Sequence, residues 1–331
     1  MLIRKPSYFD SFRCIASSCP DSCCQEWDVL IDPEKAEYYR SLPGQLGDRL
    51  RQVLKEEDGD TYMMIENRRC PMWRNDGLCR IQAELGEAAL CKTCREFPRL
   101  THDYGDFIEY GLELSCPEAA RIILSCPAPS FVTEEILGGE EPEYDAEIMA
   151  ILLDSREILH KILEESPHPA NETLAILLLY GYHVQAALDG AEIAEFDLEA
   201  ALEEARQFAA AAEAGTVLDF FRDLEILTEK WPSRLASPAP AEWSELHLLL
   251  ARYFVDRYWL QAVSDFDLIS RIKLAVISCI TIRLLGGDPV ATAQLYSKEI
   301  ENSIDNLESI LDAAYTEPAF TDSNLLRLLL M

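Results

Sequence analysis

The sequence has no long uninterrupted apolar segment. Its most apolar run, at residues 174–188, is interrupted by Tyr180, Tyr182 and His183, which makes it a poor candidate for a membrane span. Residues 1–12 carry basic side chains but lack the apolar stretch of a secretory signal. We therefore expect a cytoplasmic protein that has no membrane partner.

Basic residues are scarce as well. Lysine and arginine together number 29, against 59 aspartates and glutamates, and the formal net charge is −30. Nonspecific binding to nucleic acid depends on clustered cations, so this charge argues against a nucleic acid partner. The acidity is typical of a highly soluble protein, or of one that docks a lysine-bearing partner.

Glycine is limited to 14 of the 331 residues, and no G-x-G-x-x-G motif occurs. That motif lets a backbone turn approach the pyrophosphate of a dinucleotide in a doubly wound fold. The sequence therefore argues against a cofactor-binding domain of this type.

Cysteine, in contrast, is abundant in the first two-fifths of the chain. Only Cys279 of the eleven lies beyond residue 126, in an apolar helical pattern typical of a buried thiol. A chain of this length can bury a core without cross-links, and in a reducing compartment clustered cysteines favour metal binding over disulfides. We therefore predict nine metal ligands: Cys14, Cys19, Cys23, Cys24, Cys70, Cys79, Cys91, Cys94 and Cys116.

The spacing of these cysteines favours an iron-sulfur centre over zinc. Only Cys91-x2-Cys94 forms the short knuckle that zinc fingers use in pairs, and His102 is the single histidine nearby. Proline follows a ligand in bacterial ferredoxin motifs, and here it follows four cysteines: Cys19, Cys70, Cys116 and Cys126. We therefore expect a 4Fe-4S cluster, with zinc as the alternative. A radical-type methylating cluster is not indicated, because Glu26 stands where the third cysteine of that motif would be.

The adjacent pair Cys23-Cys24 constrains the arrangement. Neighbouring side chains in an extended segment point to opposite sides, so we expect these two thiols not to bind the same metal atom. The cysteines are numerous enough for two four-sulfur sites, or for one cluster and several structural thiols.

The distribution of patterns predicts an α+β protein of two domains. Residues 1–130 are expected to form a small cysteine-rich metal-binding domain, and residues 131–331 a larger all-α domain with apolar side chains at helical spacing. In the first part we expect a helix capped by Asp32, a turn at 75–77 that places Cys70 opposite Cys79, a helix that ends at Pro98, and a helix after Cys116. The alanine-rich run at 208–214 is expected to be helical.

Three segments resemble the flagellin lysine-N-methylase family, whose cysteine-rich half is similar to a broader zinc- or iron-chelating domain family. They are FRCIASSCPDSCCQEWDVLID at 12–32, CPMWRNDGLCRIQAELGEAALCKTCREFPR at 70–99 and LSCPEAARIIL at 114–124. In the helical part the resemblance is limited to YSKEIENS at 296–303. The resemblance implies a protein-lysine N-methyltransferase that transfers methyl groups from S-adenosylmethionine to flagellin and contains an iron-sulfur centre.

Methyl transfer to a lysine requires the neutral amine, so the site must supply a base or lower the pKa of the lysine. The candidates for that work are Glu26, Asp28, Glu109, Tyr110, Glu113, Tyr180 and Tyr182. Two other functions stay open from the sequence. One is a non-catalytic zinc- or iron-binding module with a helical docking domain, and the other is a redox protein that uses the Cys91-Cys94 dithiol.

Overall fold

The structure is a computed structural model that describes residues 1–139, 141–192, 194–210 and 217–330. It is an α+β protein in which the strands lie toward the N-terminus and helices follow. The strands are β1 (Leu2–Pro6), β2 (Val29–Ile31), β3 (Leu54–Glu57), β4 (Asp60–Met63), β5 (Arg99–Asp103), β6 (Phe107–Leu112) and β7 (Phe131–Glu135).

The helices of the first part are short and those of the second part are long. The first group is α1 (Pro33–Ser41), α2 (Gly44–Val53), α3 (Arg80–Leu85), α4 (Lys92–Glu96) and α5 (Pro117–Ile123). The second group is α6 (Ala146–Glu165), α7 (Ala170–Leu188), α8 (Leu198–Ala210), α9 (Trp231–Ala236), α10 (Glu245–Tyr258), α11 (Ile269–Leu285), α12 (Pro289–Ile300), α13 (Ile304–Thr316) and α14 (Asp322–Leu330). Residues 211–214 of the alanine-rich run lie outside the described residues.

The strands form two sheets. The larger has the order β5-β6-β1-β7, in which β1 runs parallel to β6 and the other pairs are antiparallel. The smaller is the antiparallel sheet β2-β4-β3. Strand β7 follows the expected boundary at residue 130, yet it pairs with β1 near the start of the chain.

Two hydrophobic cores hold these elements. The smaller core packs β2, α1, α2 and β4 around residues that include Leu50, Met72 and Cys91. The larger core surrounds α11, which is buried on all sides, and also takes in Phe12, Leu112 and the buried face of α5. The sheet and the long helices therefore share one core, which includes Cys116, whereas Cys70 and Cys91 belong to the smaller one.

A buried ion pair joins the larger sheet to the helices. Arg156 on α6 donates two hydrogen bonds of 2.7 Å each to the carboxylate of Glu109 on β6. Arg4 on β1 lies 3.7 Å from the same carboxylate, and the Arg156 guanidinium stacks over the ring of Phe131 on β7. Bidentate pairing satisfies both charges in the interior, which is the condition for burying them.

Several local predictions are confirmed. Asp32 caps α1 by accepting a hydrogen bond of 3.1 Å from the backbone N–H of Lys35, and Pro33 is the first helical residue. Cys116 is the N-cap of α5, with Pro117 next to it.

Two others need correction. The turn at 75–77 is present, but the residue opposite Cys79 is Trp73 rather than Cys70, because α3 begins directly after Cys79 and leaves only one bridge. The helix expected up to Pro98 is broken, because Gly86 adopts a φ of +87° and separates α3 from α4.

None of the described helices combines the length and the apolar character that crossing a membrane requires.

Candidate functional site

Six cysteines from four segments influence one another's pKa in or next to the smaller core. The backbone N–H of Cys70 donates a hydrogen bond of 2.8 Å to the carbonyl of Cys24, which ties two of the segments together. Burial raises the pKa of Cys70 to about 11, and the thiols of Cys79, Cys23 and Cys91 add to this increase. Contact with Cys91 raises the pKa of Cys94, and Cys24 and Cys23 contribute to the same shift. We name this group the main thiol cluster: Cys23, Cys24, Cys70, Cys79, Cys91 and Cys94.

The other three predicted ligands are Cys14, Cys19 and Cys116, and two of them interact electrostatically with Cys23. Burial raises the pKa of Cys116 to about 12, with added contributions from Cys19 and Cys23. Burial also raises the pKa of Cys19, and the neighbouring Cys14 and Cys23 act in the same direction. Cys23 therefore interacts electrostatically both with the main thiol cluster and with Cys19 and Cys116.

The adjacent cysteines are not arranged as their sequence suggested. Cys23 and Cys24 form a turn instead of an extended segment, and their thiols contact each other. This contact is the main cause that raises the pKa of Cys23. The assumption of an extended backbone at this pair is therefore wrong, whereas the expectation that the two thiols do not bind the same metal atom stays a prediction.

Three of the cysteines lie at the N-termini of helices. Cys79, Cys91 and Cys116 are the N-caps of α3, α4 and α5. The backbone N–H groups of the first turn act to lower the pKa of each thiol, although at Cys79 and Cys116 burial has the larger effect and raises it. N–H groups in this position stabilise a thiolate, which is the form that binds metal.

The donor chemistry fits a thiolate-bound metal group. All eleven cysteines are free thiols, and the members of the main thiol cluster come from segments that a shared metal would hold together. Across the residues that the structure describes, no three histidine, cysteine, aspartate or glutamate side chains are close enough to one another to hold a metal ion. The described residues thus include sulfur donors suited to a metal, but their positions do not identify which of them would bind it.

Cys279 lies apart from these thiols. It is fully buried in α11 and donates a hydrogen bond of 3.4 Å to the backbone carbonyl of His247. The structure gives it the surroundings of a core residue, as the sequence predicted.

A pocket of about 300 Å³ opens directly beside the main thiol cluster. Cys23 and Cys94 contribute to its wall, and Trp27 and Phe97 contribute aromatic rings whose centroids lie 5.9 Å apart. We name it the Trp27 pocket; its other lining residues are Asp28, Val29, Thr93, Glu113, Arg257, Glu301 and Asn302. It therefore joins the cysteine-rich segments to α10 and to the end of α12.

Glu301, which lines the pocket, accepts several hydrogen bonds. Its fully buried carboxylate accepts from the hydroxyls of Tyr253 and Tyr258 at 2.8–3.1 Å, and also from Ser297. Arg257 lies 3.1 Å from the same carboxylate and donates to Tyr253 at 2.7 Å. A carboxylate that accepts this many hydrogen bonds has a structural role.

Glu113 is the less engaged carboxyl of the pocket. Its side chain is 12% exposed, and its nearest cation, the Nη1 of Arg257, lies 4.0 Å away. Burial raises its pKa and the nearby Glu301 adds to this, while Arg257 and the Ser115 hydroxyl act in the opposite direction. A carboxyl with a raised pKa is a stronger base than an ordinary glutamate.

Helix α12 anchors residues 19–27, which we name the cysteine segment, through a buried ion pair. The ammonium of Lys298 lies 3.0 Å from Oδ2 of Asp21 and donates at 3.2 Å to the carbonyl of Ser22. The same ammonium lies 5.4 Å from the centre of the Trp27 ring. Lys298 therefore fixes the segment that carries Cys19, Cys23 and Trp27.

Comparison with known proteins places the chain in a family. The chain is 31% identical over 132 residues to the flagellar biosynthetic protein FliU of Salmonella muenchen, a match of 38% of this chain and 78% of FliU. The chain belongs to the flagellin lysine-N-methylase family. It is also 30% identical over 142 residues to the lysine-N-methylases of Salmonella typhimurium and Salmonella choleraesuis. That match covers 41% of this chain and 35% of each relative, so the chain spans about a third of their length.

No model of a protein family matches the chain. No solved structure matches it significantly.

Of the seven candidate residues taken from the sequence, two line the Trp27 pocket of this lysine-N-methylase family member. They are Glu113 and Asp28, and Oδ1 of Asp28 also accepts a hydrogen bond of 2.8 Å from the backbone of Ile65. Glu26 lies nearby but outside the pocket, paired with Arg68 at 2.6 Å.

The other four candidates have structural surroundings. Glu109 pairs with Arg156 in the interior, and Tyr110 stacks on the ring of Phe9. Tyr180 donates to a backbone carbonyl of α6, and Tyr182 donates to the carboxylate of Asp322. None of these four lines the Trp27 pocket.

The sequence reasoning missed the residues that the helices contribute. Arg257, Glu301 and Asn302 line the pocket, and Lys298 anchors the cysteine segment beside it. Three of these four belong to YSKEIENS, the one segment of the helical part that resembles the family. That segment was therefore the available signal, although nothing in it revealed its partners.

Proposed function

We propose that the protein is a protein-lysine N-methyltransferase that uses S-adenosylmethionine, that its substrate is flagellin, and that the clustered thiols bind an iron-sulfur group. Membership of the flagellin lysine-N-methylase family supports the reaction. The names of the relatives, lysine-N-methylase and a flagellar biosynthetic protein, support the substrate class.

The observation that carries the proposal is the composition of the Trp27 pocket. A lysine side chain has a long apolar stem and a cationic head, so it fits a site with aromatic walls and carboxylates at the end. Trp27 and Phe97 supply the aromatic faces, and Glu113 and Asp28 supply carboxylates. The pocket is open to a side chain from outside, because Asp28 and Thr93 at its edge are exposed.

Glu113 has the properties of the base. A lysine ammonium must lose a proton before its nitrogen can take a methyl group, and its usual pKa lies far above neutral. Glu113 accepts that proton, since burial raises its own pKa and its cationic neighbour Arg257 lies 4.0 Å away. S-adenosylmethionine, when bound, supplies the methyl group. Arg257, held by Glu301 and Tyr253, keeps the charge beside Glu113 in a fixed position.

The main thiol cluster has a structural part in this proposal. An iron-sulfur group, when bound, would join the segments of Cys23, Cys70, Cys79 and Cys91 and thereby fix one wall of the pocket. Sulfur ligands alone leave no open position for a substrate, which favours this role over direct chemistry. Zinc would serve the same purpose and would differ in colour and in metal content.

The proposal is tested by anaerobic purification followed by metal analysis, an absorption spectrum and incubation with purified flagellin and methyl-labelled S-adenosylmethionine. We expect a brown, iron-containing protein that transfers label to flagellin. A colourless zinc protein that transfers no label would instead support the non-catalytic metal-binding module. An iron protein that transfers label to another protein but not to flagellin would overturn the substrate and leave the reaction intact.

A further inference from the structure

A second and larger cavity, of about 670 Å³, borders the same cysteine segment. Its walls come from Pro20, Asp21 and Glu26 of that segment, from the start of α5, from residues 228–234 and from the first turns of α12. Its volume lies within the range of about 300–1,000 Å³ that small-molecule sites occupy. We name it the Arg234 cavity. Lys298 lines it, and the ammonium of Lys298 faces the Trp27 ring of the neighbouring pocket.

The charges of the cavity are balanced. Four cationic and four anionic side chains line it, and one pair of them, Lys298 with Asp21, is already neutralised. The remaining ones are Arg121, Lys230 and Arg234 against Glu26, Glu229 and Asp288. A site for a nucleotide polyphosphate would need an excess of cations. A balanced set suits a ligand that carries both charges, beside the apolar surfaces of Pro20, Pro117, Val290 and Leu295.

Two of the cations differ in how the described residues hold them: Arg234 is fixed by hydrogen bonds, and Lys230 is not. Arg234 donates through Nη2 to Thr292 at 3.0 Å and to the carbonyl of Gly286, and its hydrogen bonds to described residues use this nitrogen alone. Its Nη1 and Nε therefore remain available to an acceptor. Lys230 is exposed and forms no ion pair with any described residue. Together they can receive a ligand carboxylate.

Glu26 shows a second sign of a built site. It adopts a φ of +83°, a left-handed conformation that costs free energy for a residue with a side chain. Arg68 holds its carboxylate through a bond of 2.6 Å and also lies 3.8 Å from Glu229. One arginine thus holds Glu26 closely and lies within ion-pair distance of the exposed Glu229. The two carboxylates can receive hydroxyl or ammonium groups of a ligand.

We propose that the Arg234 cavity binds S-adenosylmethionine, an adenosine that carries a zwitterionic amino acid. The inference rests on the proposed function, because that function supplies the need for a methyl donor. The α-carboxylate is bound by Arg234 and Lys230, the α-ammonium and the ribose hydroxyls lie against Glu26 and Glu229, and the apolar walls contact the adenine.

The test is isothermal titration of S-adenosylmethionine into the purified full chain with its native metal. The main variant is Ala291→Trp, which fills the cavity from an exposed position in the first turn of α12. Ala200→Trp is the matched control, because Ala200 is the third residue of α8 as Ala291 is of α12. Both are exposed, and both backbone N–H groups bond the capping aspartate, at 3.0 Å and 2.8 Å.

We expect Ala291→Trp to weaken binding by more than about tenfold, the control to bind like the wild type, and ATP not to compete. Lys230→Glu, which reverses the free cation, should weaken binding as well. Equal affinity of Ala291→Trp and the wild type would overturn the assignment, as would a wild type that does not bind the compound. Methyl transfer is measured separately. If Ala291→Trp still transfers methyl groups and binds S-adenosylmethionine as tightly as the wild type, this cavity is not the binding site. The proposed function is then unaffected.

Discussion

Glu113 is the residue on which the proposed chemistry depends most directly. We expect Glu113→Gln to slow methyl transfer by about 10²–10⁴-fold, because the amide cannot accept the proton of the lysine. The rate of label transfer to flagellin at saturating S-adenosylmethionine measures the effect. Glu135→Gln, a change at an exposed glutamate of β7, is the control and should transfer label like the wild type.

The same substitution should change stability in the opposite direction. Burial raises the pKa of Glu113 in the folded protein, so the folded state holds this proton more tightly than the unfolded state does. The resulting stabilisation is present at low pH and is lost as pH rises through the raised pKa. At pH 8, Glu113→Gln should therefore exceed the wild type in free energy of unfolding by denaturant. If the difference in free energy of unfolding between the variant and the wild type is the same at pH 5 and at pH 8, folding does not shift the pKa of Glu113.

Asp256 behaves in the reverse sense. Its burial alone would raise its pKa, but His160 at 2.6 Å and Arg252 at 3.0 Å outweigh burial and hold the pKa well below its usual range. Its contribution to stability is therefore present above about pH 4 and is lost as pH falls. We expect the wild type to lose stability on acidification more steeply than Asp256→Asn, measured by thermal unfolding between pH 6 and pH 3. Parallel curves would exclude this role.

Among the contacts between elements, the one between α12 and the cysteine segment holds the metal ligands of that segment against the helices. Lys298→Met leaves the buried carboxylate of Asp21 without its cation, so we expect it to cost about 3–5 kcal/mol and to lower the bound metal. Lys55→Met, which breaks an exposed pair with Glu57, should cost about 0–1 kcal/mol and leave the metal unchanged. Chemical unfolding and metal analysis of both variants give the comparison. Unchanged metal content in Lys298→Met would contradict the anchoring role.

Elements whose signals are local could be predicted from the sequence. Asp32 with Pro33, and Cys116 with Pro117, mark helix starts because the capping chemistry involves residues a few positions apart. The prediction of one helix up to Pro98 is wrong, because Gly86 ends α3.

Contacts between distant segments could not be predicted in this way. The pairing of β1 with β6 and β7 joins residues more than a hundred positions apart, and nothing near Leu2 specifies it. The pocket residues from α10 and α12 were missed for the same reason. Arg257 and Glu301 reach the cysteines only through packing, and their sequence surroundings are those of ordinary helices.

At the scale of the whole molecule, the two cores differ in how much they depend on the cysteines. The smaller core includes Cys70 and Cys91 among its 14 buried residues, whereas the larger core surrounds the long helices. Removal of the metal by a chelator should therefore expose residues 29–91 to proteolysis while most of the helical circular dichroism persists. Loss of the helical signal in the same step would show that both cores unfold as one unit.

Lysine methylation, with Glu113 of the Trp27 pocket as the base, is the function that we propose for this chain. The most direct measurement is mass spectrometry of flagellin peptides after incubation with S-adenosylmethionine and either the wild type or Glu113→Gln. We predict methyl groups on lysine side chains with the wild type and their near absence with the variant. Unmodified lysines after incubation with a metal-loaded wild type, or equal modification by both proteins, would contradict the account.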